Sequence, residues 1–237
     1  MAVLLAKPAA LVDVYNDQDT ELVNLFRVIR DKKLFPDLQA VLENTLYSRS
    51  EFELAHEPCS DRVERARRFV VRHWQGDAQT WRYSVEKSNR GRASAIAQWE
   101  GALKGLVSIH RRMKSVQVER DDWNRVLKRY DKATTLFFID SPYSGNDVDG
   151  PTLDGIPSQG YERFVQHYDR LIEAVQNMKG MVAFRAYGLE PEHRLHDAGW
   201  TIRAVSKDAG QGLWLCPNAL RSHHSAQHDR PQRSLSF

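Results

Sequence analysis

Residues 135–143 have the sequence TLFFIDSPY, and the expected architecture follows from how the chain continues on either side of them. The continuous apolar run 135–139 predicts a strand that is buried on both faces of a parallel sheet. Strand-like and helix-like segments alternate along the rest of the chain, which is typical of an α/β sheet covered on both faces. Helices are predicted at 20–30, from Pro36 onward, and at 61–73, 94–113, 121–130, 161–179 and 191–198, and strands at 11–15, 181–187, 201–205 and 213–216.

The tetrapeptide that follows the central strand is a candidate binding site. Pro142 favours an extended conformation at Ser141, so the Asp140 carboxylate and the Ser141 carbonyl can point the same way as paired acceptors. Tyr143 offers a flat ring beside them. Two acceptors and an aromatic face suit an amino group on a planar ring, whereas a strand that simply ends in a proline turn is the alternative.

A second candidate, Asp17, lies between the first predicted strand and the helix that we expect Thr20 to cap. Ligands of doubly wound sheets bind beyond the carboxyl ends of the strands, where an acidic side chain can accept hydrogen bonds from both ribose hydroxyls. An ordinary turn at Asn16-Asp17 is the alternative.

Positive charge is concentrated in one part of the chain. Residues 61–132 contain 18 Lys and Arg against 9 Asp and Glu, a net charge of +9, whereas the remainder carries −6. Such asymmetry favours a polyanionic partner, because each neutralised phosphate releases a counterion. A solvated face of ordinary helices is the alternative. Trp74, Trp81 and Tyr83 are interleaved with the basic residues and could stack on bases or simply anchor a small subdomain.

Taken in order, several segments resemble adenine-specific DNA methyltransferases of the Dam type. FFIDSPY at 137–143 is similar to the DPPY motif of that family, and VYNDQDTELVNLFRVIRD at 14–31 is similar to its ribose-binding segment and the following helix. VQVERDDWNRVLKRYDKATTLFF at 116–138 is similar to the approach to the catalytic strand. MKGMVAFRAYG and AGWTIRAV are similar to the later sheet, and the resemblance extends over roughly residues 1–216.

The resemblance implies a Rossmann-like, S-adenosylmethionine-dependent methyltransferase sheet with an inserted, mainly helical target-recognition subdomain. It implies methyl transfer to the exocyclic amine of adenine in double-stranded DNA. Asp17 and Asp140 would bind the cofactor, while Asp140, Ser141, Pro142 and Tyr143 would form the catalytic motif around a flipped adenine. The DNA-binding residues are predicted in the basic region: Arg65, Arg68, Arg90, Arg92, Arg111, Arg112 and Lys114.

Three departures from the family pattern bear on activity. The glycine-rich cofactor loop of the family is expected upstream of AVLLAKP, where this sequence has only Met1, and without its strand the sheet would have unpaired edges. Ser141 stands where the family has its first proline, and Arg185 stands near the expected mouth of the active site. A non-catalytic DNA-binding remnant is therefore the alternative, and RNA or a protein amide is an alternative acceptor.

The remaining expectations concern organisation and location. The methyltransferase domain is predicted at 1–57 and 121–218, the target-recognition region at 58–120 and a disordered tail at 219–237. The chain lacks a long apolar segment, and Cys59 and Cys216 stand without metal-ligand spacing. We therefore expect a cytoplasmic protein without a membrane span or a metal site. The sequence carries no signal for an oligomeric state.

Overall fold

The computed structural model of the chain describes residues 2–76, 82–84, 95–140, 169–186, 194–204 and 212–219. It forms two compact units, Met1–Trp123 and Asn124–Phe237. Each unit contains helices and a small sheet, so the chain is mixed α/β. The described strands form two sheets, one in each unit, and the Rossmann-like arrangement stays a prediction.

The first unit is mainly helical. Its elements are, in chain order, α1 (Ala2–Ala6), β1 (Asp13–Asn16), α2 (Thr20–Arg30), α3 (Leu34–Glu43), α4 (Arg49–Leu54), α5 (Arg62–Gln75), α6 (Ala95–Met113) and β2 (Val116–Glu119). Helices α2, α3, α5 and α6 enclose one apolar core, to which β2 contributes Val116. Residues 1–57 and 58–120 therefore share a core within the described part of this unit.

Helix α2 shows how the local sequence sets an element. Its apolar residues recur at helical spacing, which predicts one buried face, and Leu25, Phe26 and Ile29 are buried. The predicted cap is wrong, because Asp19 and not Thr20 is the N-cap. The Asp19 carboxylate accepts hydrogen bonds from the backbone N–H groups of Glu21 and Leu22.

Helix α3 is shorter than its apolar pattern suggested. The helical spacing of Leu38, Val41, Leu42 and Leu46 predicts one apolar face; Leu38 and Leu42 are fully buried, but the helix ends at Glu43. Leu46 lies beyond that end and is exposed, and Val41 is also exposed. The apolar face of this helix is therefore narrower than the sequence suggested.

Strand β1 pairs in parallel with β2, a strand that the sequence analysis did not predict. The register places Asp13 opposite Val116 and Asn16 opposite Glu119. At the start of this pair, the Asp13 carboxylate is 5% exposed and accepts hydrogen bonds from Arg112 Nη2 at 2.6 Å and the Ala10 N–H at 3.0 Å. Lys7 forms an ion pair with the same carboxylate. A buried carboxylate thus joins the N-terminal segment, β1 and the end of α6.

The second unit begins in α7 (Trp123–Tyr130) and contains β3 (Leu136–Asp140), β4 (Met181–Ala186), β5 (Thr201–Ala204) and β6 (Gly212–Leu215). Helical residues also occupy 169–176 and 194–197. The strands form a sheet in the order β3-β4-β6-β5, in which β3 and β4 are parallel and β6 runs antiparallel to both of its neighbours.

The prediction that β3 is buried on both faces is wrong. Leu136 is 57% exposed and Phe138 is 37% exposed, whereas Phe137 and Ile139 on the other face are half-buried. Among the described strands, β3 pairs with β4 alone and is therefore an edge of the sheet. An edge strand has a neighbour on one side only, so a continuous apolar run does not guarantee burial of both faces.

A close approach fixes the beginning of the β3–β4 pair. The Asp131 carboxylate accepts hydrogen bonds from the N–H groups of Lys179 at 3.2 Å and Gly180 at 2.9 Å. A Cβ atom at Gly180 would lie 2.8 Å from Phe137 Cε2 and 3.0 Å from the Thr135 carbonyl oxygen. Only glycine lets the two segments approach so closely without displacement.

We predict that Asp13→Asn lowers the free energy of unfolding at neutral pH by about 3 kcal/mol, because it removes the buried anion that faces two cations. Burial by itself raises the pKa of Asp13, but hydrogen bonds from Lys7, the Ala10 amide and Arg112 outweigh it and lower the pKa to about 2, from 3.8. The stabilisation from this shift is about 2 kcal/mol; it is complete above pH 4 and is lost as the pH falls through about 2. Urea unfolding of both proteins at neutral pH measures the effect of the substitution. Urea unfolding of the wild-type protein from neutral pH down to about pH 2 measures the loss of the Asp13 stabilisation.

The exposed Asp37 in the first turn of α3 offers a matched control for that experiment. Asp37→Asn should change the free energy of unfolding by no more than about 0.5 kcal/mol. Equal effects of the two substitutions would contradict the structural role of Asp13.

We further predict that Gly180→Ala destabilises the chain by about 1–3 kcal/mol, because the added methyl group must displace Phe137 and backbone at Thr135. Gly101→Ala is the control, since a Cβ atom at Gly101 in α6 meets nothing within 4 Å. That substitution should stabilise the helix by about 0.5–1 kcal/mol. Thermal unfolding of both variants measures these changes in stability. Destabilisation by Gly101→Ala without destabilisation by Gly180→Ala would contradict the prediction.

Candidate functional site

The carboxylate of Asp17 is held in place at the carboxyl end of β1. Its Oδ2 accepts a hydrogen bond from the Tyr15 hydroxyl at 3.2 Å, and its Oδ1 accepts one from the Asp19 N–H at 3.0 Å. The Asp17 N–H donates to the Glu119 carbonyl at 3.3 Å, which fixes the backbone beside the end of β2. Each carboxylate oxygen retains a second lone pair, so the oriented side chain can still accept hydrogen bonds from a diol.

A reciprocal pair of hydrogen bonds closes the same edge of the first sheet. Asn16 Nδ2 donates to the Asp121 carbonyl at 3.0 Å, and the Asp121 N–H donates to Asn16 Oδ1 at 3.1 Å. Next to them, Arg120 Nη1 donates to Thr20 Oγ1 at 2.8 Å at the start of α2. The edge that carries Asp17 is thus built by two segments about a hundred residues apart in sequence, 16–20 and 119–121.

Sequence reasoning missed the part of this edge that follows β2. The sequence pattern does not single out Asn16, Glu119 and Asp121 as site residues, because it does not predict the strand at 116–119. The alternation in Val116-Gln117-Val118 was the available signal, since it places the two valines on one face of a strand.

Asp140 lies at the carboxyl end of β3, where the register sets it opposite Arg185 of β4. Arg185 Nη1 is 3.4 Å from Asp140 Oδ1, and the side chains are 26% and 41% exposed, respectively. Ion pairs as accessible as this one contribute about 0–1 kcal/mol, so the contact leaves the Asp140 carboxylate open to a competing donor. The other residues of the predicted motif, Ser141, Pro142 and Tyr143, lie outside the described residues.

The structure describes the predicted cofactor and catalytic carboxylates in separate units. Asp17 belongs to Met1–Trp123, and Asp140 belongs to Asn124–Phe237. In its own unit, each is the polar residue at the carboxyl end of a strand that has a parallel neighbour. This is the position at which open α/β sheets bind their ligands.

Three of the predicted DNA-binding arginines have intramolecular partners. Arg65 donates to both carboxylate oxygens of Glu21. Arg68 donates to Glu64 Oε1 and to the Glu57 carbonyl, both at 2.7 Å. Arg112 donates to the buried Asp13 carboxylate. These guanidinium groups therefore contribute to the packing of the first unit.

Arg67, a buried arginine on α5, shares the Glu64 carboxylate with Arg68. It donates to both carboxylate oxygens of Glu64 and to Glu51 Oε2, each at 2.7 Å. Hydrogen bonding to Glu64 raises the pKa of Arg67, and the same bonds lower the pKa of Glu64. Much of the positive charge counted on this helix is thus neutralised inside the protein.

Other basic residues of the predicted set remain accessible. Arg111, in the last turn of α6, and Lys114, directly after it, are exposed. Arg90 and Arg92 lie outside the described residues. The described basic surface at the end of α6 is therefore smaller than the net charge of the segment suggested.

The second unit also has a cavity of about 340 Å³ that the sequence analysis did not predict. It is lined by Gly180, Trp200 and Cys216, among others, and Gly180 precedes the first residue of β4. The Cys216 sulfur accepts a hydrogen bond from the Val182 N–H at 3.0 Å. The cavity therefore lies toward the beginning of β4, whereas Asp140 and Arg185 lie toward the ends of their strands.

Within the described ranges, His, Cys, Asp and Glu side chains form no group of three or more that could hold a metal ion. Across the same residues, no helix combines the length and apolar character that a membrane crossing requires.

The chain was also compared with known proteins. It matches no known protein-family model. It matches no curated protein sequence either.

Proposed function

We propose that this protein transfers a methyl group from S-adenosylmethionine to the exocyclic amine of adenine in DNA. The observation that carries the proposal is the accessible carboxylate of Asp140 at the carboxyl end of β3, beside the parallel strand β4. The resemblance of 137–143 to the DPPY motif is a second observation that supports the proposal.

Asp140 is the residue to which we assign the acceptor amine. A carboxylate oxygen that accepts a hydrogen bond from the amine orients the nitrogen lone pair toward the methyl group. The nitrogen would gain the methyl group as the carbon–sulfur bond of the sulfonium breaks with its electron pair staying on sulfur, and the proton that the nitrogen loses would pass along this hydrogen bond to the Asp140 carboxylate. In the proposed complex, the Ser141 carbonyl accepts the second amine hydrogen and Tyr143 stacks on the base, as the resemblance implies.

The surroundings of Asp17 fit the ribose of the proposed cofactor. Its carboxylate is half-buried, is oriented by Tyr15 and Asp19, and has lone pairs left for two hydroxyl groups. When bound, S-adenosylmethionine supplies an electrophilic methyl group on a sulfonium sulfur. Asp17 would hold the ribose and would take no part in the transfer itself.

An adenine amine inside a duplex is paired and stacked, so the base must leave the helix before transfer. This requires a firm hold on the DNA backbone. Arg111 and Lys114 are the described members of the predicted set that are exposed. We assign phosphate contacts to these two residues.

We predict that Asp140→Asn reduces methyl transfer at least a hundredfold, because the variant presents one acceptor oxygen and no charge. The assay follows labelled methyl from S-adenosylmethionine into unmethylated, adenine-containing duplex DNA. Asp197→Asn is the control, since the Asp197 side chain is 84% exposed in the same unit and should leave the rate unchanged. An Asp140→Asn variant that keeps the wild-type rate would exclude the proposed role.

The methyl-transfer assay, together with the melting temperature in the presence of S-adenosylmethionine, distinguishes the enzyme from a DNA-binding remnant. A remnant would bind duplex without transferring a methyl group, and S-adenosylmethionine would not raise its melting temperature. An enzyme must be stabilised by its cofactor, because a ligand that binds only the folded state raises stability. Transfer to RNA in place of DNA would change the acceptor and retain the role of Asp140.

We also predict that Arg111→Ala weakens duplex binding. The slope of log affinity against log salt concentration should fall by about 0.9, the value for one lost phosphate contact. Lys32→Ala, at an exposed position between α2 and α3, is the control and should leave the slope unchanged. A slope unaffected by Arg111→Ala would remove this residue from the DNA interface.

A further inference from the structure

The ends of three helices meet at His110 in the first unit. His110, in the last turn of α6, donates a hydrogen bond from Nδ1 to the carbonyl oxygen of Ile29, in the last turn of α2. The His110 ring also stacks on Phe35 at the start of α3, with the ring centroids 4.3 Å apart and an angle of 12° between the ring planes. These two contacts hold the carboxyl-terminal ends of α2 and α6 side by side.

Four cationic side chains flank this junction. The last turn of α2 supplies two of them, one of which directly follows Ile29. The end of α6 supplies the other two, one of which directly follows His110. All four side chains are exposed. We define the basic end surface as these four residues: Arg27, Arg30, Arg111 and Lys114.

The charges of the basic end surface are available to a partner. Across the described residues, none of its four side chains forms an ion pair or a hydrogen bond, unlike Arg65 and Arg112, which are bonded to carboxylates. The next carboxylate along the chain after α2 belongs to Asp31, and it accepts hydrogen bonds from the backbone N–H groups of Lys33 and Leu34. The junction of the two helix ends therefore keeps four positive charges without a bonded carboxylate.

The basic end surface lies at the opposite end of β1 from Asp17. Arg112, which directly follows Arg111, donates a hydrogen bond to Asp13, the first residue of β1. Asp17 directly follows the last residue of the same strand. Four residues of a strand span about 13 Å. The length of β1 therefore separates this surface from the carboxylate to which we assign the ribose.

A phosphate backbone suits this surface better than a protein or a lipid surface. The apolar side chains at the junction, Ile29 and Phe35, are 2% and 6% exposed, so a partner would contact the cations and not these apolar groups. Protein partners and lipid surfaces gain much of their binding from apolar area. Three of the four cations are arginines, which bind phosphate with two parallel hydrogen bonds.

A purely internal role is the alternative. Cations in the last turn of a helix interact favourably with its macrodipole and thereby stabilise the protein. Such a role predicts that removal of the charge changes the melting temperature and leaves DNA binding unchanged. A contact with phosphate predicts that DNA binding depends less on salt after the substitution.

We propose that the basic end surface binds the phosphate backbone of duplex DNA, and that Arg27 and Arg30 extend the DNA interface from the end of α6 onto α2. Both arginines precede the segment 61–132 in which net charge predicts the DNA-binding residues. They contact phosphates together with Arg111 and Lys114. This inference rests on DNA as the substrate of the proposed function.

The test is equilibrium binding of a DNA duplex to the full chain over a range of salt concentrations. Arg27→Gln and Arg30→Gln should each lower the slope of log affinity against log salt concentration by about 0.9, the value for one lost phosphate contact. At about 0.1 M salt the affinity should fall about eightfold, whereas the affinities extrapolated to about 1 M salt should coincide. Combining Arg30→Gln with Arg111→Gln should lower the slope by about 1.8, because each arginine contacts the same duplex.

Two further variants make the result specific. Arg30→Lys keeps the positive charge and should retain the wild-type slope, because the slope counts neutralised phosphates. Lys32→Ala removes one positive charge from the turn that follows Asp31, outside the two helix ends, and should leave the slope unchanged. Circular dichroism verifies that each variant is folded, and thermal unfolding measures any effect on stability.

The proposal is overturned if Arg30→Gln leaves the slope unchanged, whether or not it lowers the melting temperature. It is also overturned if Lys32→Ala lowers the slope as much as Arg30→Gln does. The slope would then follow the net charge of the chain and not contacts at the basic end surface.

Methyl transfer, measured separately on the wild-type chain, keeps this result apart from the proposed function. Transfer together with a slope unaffected by Arg30→Gln would retain the methyltransferase and remove α2 from the DNA interface. The expected fall in slope without transfer would retain the DNA-binding surface and remove the methyltransferase.

Discussion

The first unit depends on the hydrogen bonds and ion pairs of the buried Asp13 carboxylate. The carboxylate accepts hydrogen bonds from Arg112 and the Ala10 amide and pairs with Lys7, so it links the N-terminal segment and the end of α6 to the first residue of β1. A buried charge is tolerated only when its partners are in place, so these segments must assemble together. The parallel pair β1–β2 starts at this residue, and its other end carries Asp17. The geometry of a candidate binding residue thus depends on an ion pair at the opposite end of the same strand.

The second unit depends on a steric constraint in place of an electrostatic one. Gly180 allows the beginning of β4 to lie against Phe137 and the Thr135 carbonyl, and Asp131 holds the adjoining N–H groups. This close approach sets the register of β3 against β4. The same register brings Asp140 opposite Arg185 at the other end of the β3–β4 pair. A one-residue slip would turn these side chains to opposite faces.

The arginines of the basic segment serve two purposes that composition does not separate. Arg65, Arg67 and Arg68 lie on α5 and are bonded to acidic residues of the first unit. These ion pairs connect α5 to α2 and α4, and they leave less positive charge for a partner. Arg111 and Lys114 are exposed at the end of α6, where a polyanion could contact them. Net charge over a segment therefore overstates the surface that a nucleic acid can use.

The sequence by itself determined most of the helices, the apolar strands of the second unit and the two carboxylates at strand ends. Periodicity predicts α2 and α5, and short apolar runs predict β3 and β4, because both patterns arise from neighbouring residues. Only the tertiary structure decided the pairing of β1 with β2, the exposure of Leu136 and Phe138, and the partners of Arg112 and Asp140. Asp13 and Arg112 are 99 residues apart, and Asp140 and Arg185 are 45 apart. Contacts over such separations depend on how the elements pack, and no local pattern of side chains specifies that packing.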